Sequence, residues 1–311
     1  MREEITYLPA NLGDWGVPEA VQGGSYGTDS LKMSDGTELF FRFWRAAEPQ
    51  APVFVFVHGL GAHSGWFIDL GNQMNAQGLN VYMDDHRAFG RSGGARGHVK
   101  RGSIYLEDLR RFLVAVQERH PEAPLFLCGH SMGGIFSIYF AAAEAGVGTQ
   151  KEPSLVKGLI LVNPWIQDSV KVKPATVARL LLGGLSGSDR IIPREVHTDT
   201  MTLVPEATRL LEDDRYWVRN QSGSFLYQIT RMRMQVLPMA RKVQIPALVI
   251  QTLGDRTLVQ KATYQCYLEL GSKDKTWKTY ADMAHDFEFE PGRSVLDTDM
   301  ADWILRHRGQ A

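Results

Sequence analysis

The feature that most constrains this sequence is the stretch LFLCGHSMGG, residues 125–134. A short apolar run of strand length leads into the pattern Gly-x-Ser-x-Gly, and a helical pattern follows it. A serine on a sharp strand-to-helix turn has strained backbone angles, so the residues two positions away from it must be small. Gly129 and Gly133 meet this requirement, and the turn places Ser131 at the carboxyl end of the strand, beside a helix N-terminus. The stretch therefore predicts a nucleophile elbow with Ser131 as the nucleophile.

Composition and charge are those of an ordinary globular chain. The 311 residues can bury a substantial core, and they are 44% hydrophobic and 22% charged. A net charge of −1 gives no electrostatic reason to expect nucleic acid as a partner. Cys128 and Cys266 have neither a zinc-binding spacing nor a disulfide framework. We find no signal peptide and no transmembrane segment in the sequence, so we expect a cytoplasmic protein.

Strand and helix patterns alternate along most of the chain. Continuous apolar runs at 53–57, 159–162 and 247–251 are typical of strands buried on both faces of a parallel sheet. The alternation stops between about 165 and 243, where helical stretches predicted at 175–182, 205–212 and 222–236 are separated by Gly, Pro and Ser. We therefore predict an α/β fold, with a mostly parallel central sheet, helices on both faces and a helical cap insertion. The predicted boundaries are an irregular N-terminal arm at 1–28, a core at 29–164 and 244–311, and a cap at 165–243.

Two later segments supply the partners that a serine nucleophile needs. A serine hydroxyl requires a base that takes its proton, and a third group must orient that base. Asp255 directly follows the predicted strand at 247–251, and His285 follows the last predicted strand, at 276–280. This is the chain order Ser, acid, His at the carboxyl ends of parallel strands. We therefore predict Asp255 as the acid and His285 as the base.

Other carboxylates and histidines compete for these roles. Asp282 and Asp286 flank His285, but neither directly follows the penultimate strand, and adjacent side chains rarely face each other. The placement of all three candidates after successive strands favours a triad over these alternatives. The alternative bases, each of which precedes Ser131 or adjoins it, are His58, His63, His86 and His130.

The predicted reaction also needs hydrogen-bond donors for an oxyanion. The backbone N–H of Met132, which follows the nucleophile, is one expected donor. The backbone N–H of Leu60, in the turn His58-Gly59-Leu60-Gly61, is the other. His58 is then better explained as a residue that anchors this turn by hydrogen bonds than as a base.

Five short motifs stand out: HGLGAHSG at 58–65, DHRAFGRSG at 85–93, GHSMGG at 129–134, Gly-Asp at 254–255 and Ala-His at 284–285. Together they resemble the α/β-hydrolase superfamily. Within it, they are similar to the monoacylglycerol lipase and lysophospholipase-like branch of serine hydrolases, over roughly residue 31 to the C-terminus. Family members commonly carry Arg-Gly-His-Gly where Arg87-Ala88-Phe89-Gly90 stands. The resemblance implies the α/β-hydrolase fold, an acyl ester as small-molecule substrate, and no cofactor or metal.

A serine ester hydrolase, similar to a monoacylglycerol lipase, is the function that these residues favour. The same triad could also cleave a carbon–carbon bond or an amide, and a hydrolase scaffold could serve as a ligand receptor without turnover. A receptor need not keep the acid and the base, which are both present here. The run at 178–187 could rest transiently on a lipid surface, but it lacks a cationic face. Apolar cap residues that could line an acyl pocket, or simply hold the cap on the sheet, are Val177, Leu180, Leu181, Leu182, Leu185, Met201, Leu203, Phe225, Leu226, Met232 and Met234.

Overall fold

A computed structural model of the chain describes residues 25–147, 154–169, 180, 182–184, 186–193 and 197–309. Within these residues an eight-stranded sheet forms the centre of the molecule, and a separate two-stranded ribbon lies outside it. The strands are β1 (Ser25–Lys32), β2 (Glu38–Arg45), β3 (Val53–Val57), β4 (Asn80–Asp84), β5 (Leu125–His130), β6 (Gly158–Val162), β7 (Ile191–Ile192), β8 (Gln221–Ser222), β9 (Ala247–Thr252) and β10 (Lys275–Tyr280).

The central sheet has the strand order β1-β2-β4-β3-β5-β6-β9-β10. β2 pairs antiparallel with β1 and with β4, and all other neighbours in the sheet are parallel. Every residue of β3, β5, β6 and β9 is buried. Such burial requires cover on both faces, which explains why these strands appear in the sequence as continuous apolar runs.

Helices cover both faces of the sheet. They are α1 (Ile68–Ala76), α2 (Ser103–Arg119), α3 (Met132–Val147), α4 (Pro205–Asp213), α5 (Gly223–Met234), α6 (Val236–Ala240), α7 (Gln260–Glu269) and α8 (Arg293–His307). One hydrophobic cluster packs α2, α3 and α7 against one face, and a second cluster packs α1 and α8 against the other. The predicted α/β fold is therefore confirmed.

The segment between β6 and β9 interrupts the alternation of strands and helices. It contains α4, α5, α6 and the β7–β8 ribbon. The helical stretches predicted at 205–212 and 222–236 correspond to α4 and α5, whereas α6 and the ribbon were not predicted. Residues 180, 182–184 and 186 are helical, but most of the helix predicted from residue 175 to Leu182 lies outside the described residues. None of the helices in the described part of the chain combines the length and hydrophobicity that a bilayer-spanning segment needs.

The N-terminal boundary differs from the prediction. β1 begins at Ser25, within the stretch predicted as an irregular arm, and pairs with β2 along its whole length. The rest of that arm, residues 1–24, lies outside the described residues.

Candidate active site

Ser131 occupies the single position between the end of β5 and the start of α3. Its φ of 53° lies in the left-handed region, which is strained for a serine. A Cβ atom added to Gly133 would lie 2.0 Å from the carbonyl oxygen of Val57, and one added to Gly129 would lie 2.6 Å from the carbonyl oxygen of Gly133. Both contacts are with backbone, which cannot move aside without distorting the sheet. Only glycine fits at either position.

Three loops at the carboxyl edge of the sheet bring the predicted serine, acid and histidine together. Ser131 Oγ lies 3.0 Å from His285 Nε2, and His285 Nδ1 lies 2.8 Å from Asp255 Oδ2. The other oxygen of Asp255 accepts hydrogen bonds from the backbone N–H groups of Thr257 and Leu258, at 2.8 and 3.0 Å. These bonds fix the carboxylate, and its contact with Nδ1 leaves Nε2 of the ring facing the serine.

The charges in the site favour an ionised Asp255 and a basic His285. Burial raises the pKa of Asp255, but the His285 charge and the hydrogen bonds to the carboxylate outweigh it and hold the pKa below its ordinary value. Burial lowers the pKa of His285, but the charge and hydrogen bond of Asp255, with a contribution from Asp286, raise it to about 9. The ring is therefore a strong base, and its neutral form can take the proton from Ser131.

His58 anchors the turn that follows β3. Its Nε2 accepts a hydrogen bond from the backbone N–H of His86 at 2.9 Å, so its Nδ1 carries the proton that it donates to the carbonyl oxygen of Gly59, at 2.7 Å. The imidazole rings of His58 and His86 stack with their centroids 3.8 Å apart. Burial and the neighbouring charge of His86 hold the pKa of His58 well below its ordinary value. Both ring nitrogens are thus engaged in holding the backbone.

This turn passes directly beside the nucleophile. A Cβ atom added to Gly59 would lie 3.1 Å from Ser131 Cβ and 3.5 Å from Ser131 Oγ. Met132 is the first residue of α3, where a backbone N–H has no acceptor within the helix. The two expected oxyanion donors, Leu60 and Met132, therefore belong to segments that flank Ser131, and their role stays a prediction.

Asn163 supports the site in a way that the sequence analysis missed. Its side-chain Nδ2 donates to Thr252 Oγ1 at 2.7 Å and to the carbonyl oxygen of His285 at 2.9 Å, and its Oδ1 accepts from the backbone N–H of Thr252 at 2.9 Å. Asn163 also has a positive φ, of 43°. It thereby joins the ends of β6 and β9 to the loop that carries His285. The available signal was an Asn directly after an apolar strand, since Asn tolerates the left-handed region better than most residues.

One cluster of described residues brings three possible metal-binding groups within 4.8 Å of one another: His130, His285 and Asp286. Both ring nitrogens of His285 are hydrogen-bonded, to Asp255 and to Ser131. His130 Nε2 lies 3.0 Å from the carbonyl oxygen of His285 and donates to it. A metal ion bound by all three residues would have to displace one of the hydrogen bonds of His285, which link it to Asp255 and Ser131, so the donor set does not fit a metal site.

The segment between β6 and β9 is attached to the site loops on two sides. On one side, the backbone N–H of Val218 donates to the carbonyl oxygen of Gly61 at 3.0 Å. On the other side, the backbone N–H of Asp286 donates to the carbonyl oxygen of Met201 at 2.8 Å, and the backbone N–H of Leu203 donates to Glu290 Oε1 at 2.7 Å. This segment therefore contacts both the turn beside Ser131 and the loop that carries His285.

The apolar residues considered for an acyl pocket divide into packed and exposed groups. Phe225, Leu226 and Met232 are buried in the cluster that packs against the sheet, as expected of residues that hold a cap in place. Leu182, Leu203 and Met234 are 68%, 47% and 72% exposed. Leu180 and Met201 are partly buried. Leu180 packs against the same hydrophobic cluster as Phe225, and Met201 packs against the cluster on the opposite face of the sheet. Val177, Leu181 and Leu185 lie outside the described residues.

Comparisons with known proteins give consistent results. The sequence profile of the Hydrolase_4 family, described as serine aminopeptidase S33, matches residues 47–292. Human monoglyceride lipase is 30% identical over 260 residues, which cover 82% of this chain and 82% of that protein. The monoacylglycerol lipase of Mycolicibacterium smegmatis is 27% identical over 275 residues, 88% of this chain and 94% of that protein. The crystal structure of a soluble variant of monoglyceride lipase from Saccharomyces cerevisiae is similar with a TM-score of 0.81 at 20% identity, over 96% of this chain and 100% of that chain.

The structural similarity bears on the fold, and the sequence matches bear on the family. The α/β-hydrolase fold predicted from the motifs is confirmed by the TM-score of 0.81 and by the strand order of the sheet. The predicted resemblance to the monoacylglycerol lipase-like branch is confirmed by the profile and by the two lipase relatives. The chain belongs to the Hydrolase_4 (serine aminopeptidase S33) family of α/β-hydrolase-fold serine hydrolases.

Proposed function

We propose that this chain is a serine ester hydrolase that cleaves monoacylglycerols or similar acyl esters. The observation that carries the proposal is the continuous hydrogen-bond relay from Ser131 Oγ through His285 to Asp255, with distances of 3.0 and 2.8 Å. The relatives named monoglyceride or monoacylglycerol lipase support the choice of an acylglycerol as substrate, since they match over most of this chain.

Each residue of the relay has a distinct role in the proposed reaction. Ser131 Oγ attacks the acyl carbonyl carbon while His285 Nε2 takes the hydroxyl proton, and Asp255 holds the ring and balances its positive charge. The tetrahedral oxyanion accepts hydrogen bonds from the backbone N–H groups of Leu60 and Met132. One such donor is typically worth about 3–4 kcal/mol of transition-state stabilisation.

The ester bond then breaks, and a second half-reaction restores the enzyme. The imidazolium of His285 gives its proton to the departing alkoxide, so the alcohol leaves and the acyl group remains on Ser131. Water attacks this acyl-enzyme with His285 again as the base, and the fatty acid is released. No cofactor is required at any step of this scheme.

We also propose that residues 165–243 form the cap that encloses the acyl chain, over a core at 29–164 and 244–311. The contacts of this segment with Gly61 and with the loop after His285 support its position over the site. The cytoplasmic location and the transient contact with a lipid surface stay predictions from the sequence.

Turnover of p-nitrophenyl esters from acetate to palmitate, and of a monoacylglycerol, tests the proposal. We expect hydrolysis in the wild type, loss of it in Ser131→Ala, and labelling of Ser131 by a fluorophosphonate. Ser103→Ala is the matched control, because Ser103 is exposed at the start of α2. Full activity in Ser131→Ala would contradict the assignment of the nucleophile. A labelled Ser131 with hydrolysis of p-nitroanilides but not of esters would indicate an amidase instead.

A further inference from the structure

Asp286 is a buried carboxylate with little local support. Asp286 directly follows His285 in the chain, and it is only 3% exposed. Among the described residues, its Oδ2 has no hydrogen-bond partner, and its Oδ1 lies 3.9 Å from His130 Nε2. A buried carboxylate without hydrogen bonds or a counter-charge is costly, so a positive charge nearby would stabilise it considerably.

The charged groups that face Asp286 come from four elements. His130 stands at the end of β5, His285 precedes Asp286 in the same loop, Asp255 lies in the loop after β9, and Glu290 follows a turn beyond Asp286. Burial and the charge of His285 lower the pKa of His130 to about 3, so this ring is neutral at physiological pH. Asp255 and Glu290 carry the same sign of charge as Asp286. His285 is therefore the group in this cluster whose protonation can balance Asp286.

The distance between the two side chains permits such an effect. A carboxylate oxygen of Asp286 and a ring nitrogen of His285 lie within 4.8 Å of each other. Opposite charges at about 4–6 Å favour each other's ionised forms even without a direct hydrogen bond. Both ring nitrogens of His285 are already engaged by Asp255 and Ser131, so Asp286 acts by its charge alone.

We propose that Asp286 is a positioning residue of the reaction: a second carboxylate that, together with Asp255, balances the positive charge that His285 acquires when it takes the proton from Ser131. The proposal rests on the function proposed above. It gives Asp286 and Asp255 complementary roles in place of the alternative roles considered from the sequence.

The pH range of the effect follows from the titration of Asp286 itself. Burial raises the pKa of Asp286, the His285 charge lowers it, and the charges of Asp255 and Glu290 raise it again, to about 6. Asp286 is thus mostly ionised above pH 6, a range that includes the titration of His285, and mostly neutral in more acidic solution. Removing its charge should therefore make His285 less basic above pH 6.

The first test is the pH profile of kcat/KM for a p-nitrophenyl ester with Asp286→Asn, which keeps the shape of the side chain. We expect the acid limb of the profile to move to lower pH by about one unit, and KM to change by less than about twofold. The matched control is Asp282→Asn, since Asp282 is an exposed carboxylate in the same loop. An acid limb that stays at the wild-type pH in folded Asp286→Asn would overturn the proposal.

A second measurement does not depend on turnover. The His285 imidazole can be titrated by NMR with labelled histidine, assigned with His285→Gln, in the wild type and in Asp286→Asn. The expected result is a lower His285 pKa in the variant, and an unchanged value would overturn the proposal. If Asp286→Asn does not fold, Asp286→Ser makes the same change of charge and must shift the pKa in the same direction. If the wild type does not hydrolyse esters, only the proposed function is rejected. The effect of Asp286 on the pKa of His285 is still tested by the titration, which requires no turnover.

Discussion

His63 Nε2 lies 2.8 Å from Asp214 Oδ2, and this buried pair joins the turn beside Ser131 to the segment after α4. The same oxygen accepts a hydrogen bond from Trp66 Nε1 at 2.7 Å, and the other oxygen accepts one from the backbone N–H of Tyr216 at 2.8 Å. Burial raises the pKa of Asp214, but the His63 hydrogen bond and charge and the other two donors outweigh it and hold the pKa below its ordinary value. One residue of the inserted segment thus fixes the conformation of the turn.

Asp214→Asn should loosen this turn, because an amide cannot accept hydrogen bonds from all three donors. We expect kcat/KM for a p-nitrophenyl ester to fall about tenfold, or about 1.4 kcal/mol, with slower labelling by a fluorophosphonate. Asp213→Asn makes the same chemical change at an exposed neighbour and serves as control. Equal rates in the two variants would contradict a link between Asp214 and the turn.

The effect of Asp214→Asn on stability should depend on pH. The folded-state pKa of Asp214 lies below its unfolded value, so its stabilisation is present at neutral pH and is lost as the pH falls through the folded-state pKa. The difference in Tm between wild type and Asp214→Asn should therefore shrink in acid. A difference that grows in acid would show that the sign of this shift is wrong.

Gly133→Ala should strongly destabilise the folded protein. The added Cβ atom would lie 2.0 Å from the carbonyl oxygen of Val57, and we expect a loss of more than about 4 kcal/mol in the free energy of unfolding. Gly78→Ala is the matched control, because Gly78 has a φ of 85° and nothing within 4 Å of the added atom. In Gly78→Ala, the strain of an alanine in the left-handed conformation should reduce the free energy of unfolding by about 1–2 kcal/mol. Urea unfolding of both variants checks the comparison, and similar losses would contradict it.

Asn163→Ala should lower kcat and leave KM nearly unchanged, because Asn163 contacts the His285 loop and holds the base in place. Loss of the three hydrogen bonds of the side-chain amide should reduce kcat about tenfold. Asn163→Gly separates the effect of backbone strain from the effect of the missing side chain. Glycine adopts the left-handed conformation without strain, so any loss of kcat in this variant comes from the missing amide. Steady-state kinetics with a p-nitrophenyl ester measure both constants. An increase in KM at constant kcat would place the role of Asn163 in substrate binding instead.

Asp297→Asn should stabilise the protein in alkaline solution. Three carboxylates surround the single guanidinium of Arg293, with Asp297 at 2.8 Å, Asp69 at 3.2 Å and Glu288 at 3.5 Å. Burial raises the pKa of Asp297, the Arg293 charge lowers it and the Asp69 charge raises it again, to about 7. Since the folded-state pKa exceeds the unfolded one, the folded protein loses stability as the pH rises from about 4 to 7.

The predicted loss of stability with rising pH can be tested directly with Asp297→Asn. At pH 8 the variant should have a free energy of unfolding at least about 1 kcal/mol above that of the wild type, and at pH 4 the difference should be near zero. Asp302→Asn, an exposed carboxylate on the same helix, should behave like the wild type at both pH values. A destabilised Asp297→Asn at pH 8 would mean that the ion pair with Arg293 outweighs the cost of burial.

Most of the fold could be predicted from the sequence because its central strands are buried on both faces. Continuous apolar runs such as 53–57 have no counterpart in surface elements, and they locate the sheet directly. The β7–β8 ribbon could not be predicted, because two strands of two residues each show no periodicity. Pairing at such a distance along the chain depends on tertiary contacts.

The candidate site divides in the same way. Ser131, Asp255 and His285 were proposed from chain order and strand ends, and the structure brings them within hydrogen-bonding distance. Asn163 and Asp214 were missed, because a single polar side chain that bonds across the fold leaves no local pattern in the sequence. His63 and Asp214 are 151 positions apart, so only the folded chain shows that they form a pair.

The place of β6 in the sheet also affects how the chain is made. β6 pairs with β5 on one side and with β9 on the other, but the whole segment from Asn163 to Pro246 is synthesised before β9 appears. During that interval one edge of an entirely apolar strand has no partner on the ribosome. Such an edge invites pairing with other nascent chains. We expect fragments that stop within this segment to aggregate, and full-length synthesis to depend on chaperones that shield β6 until β9 emerges.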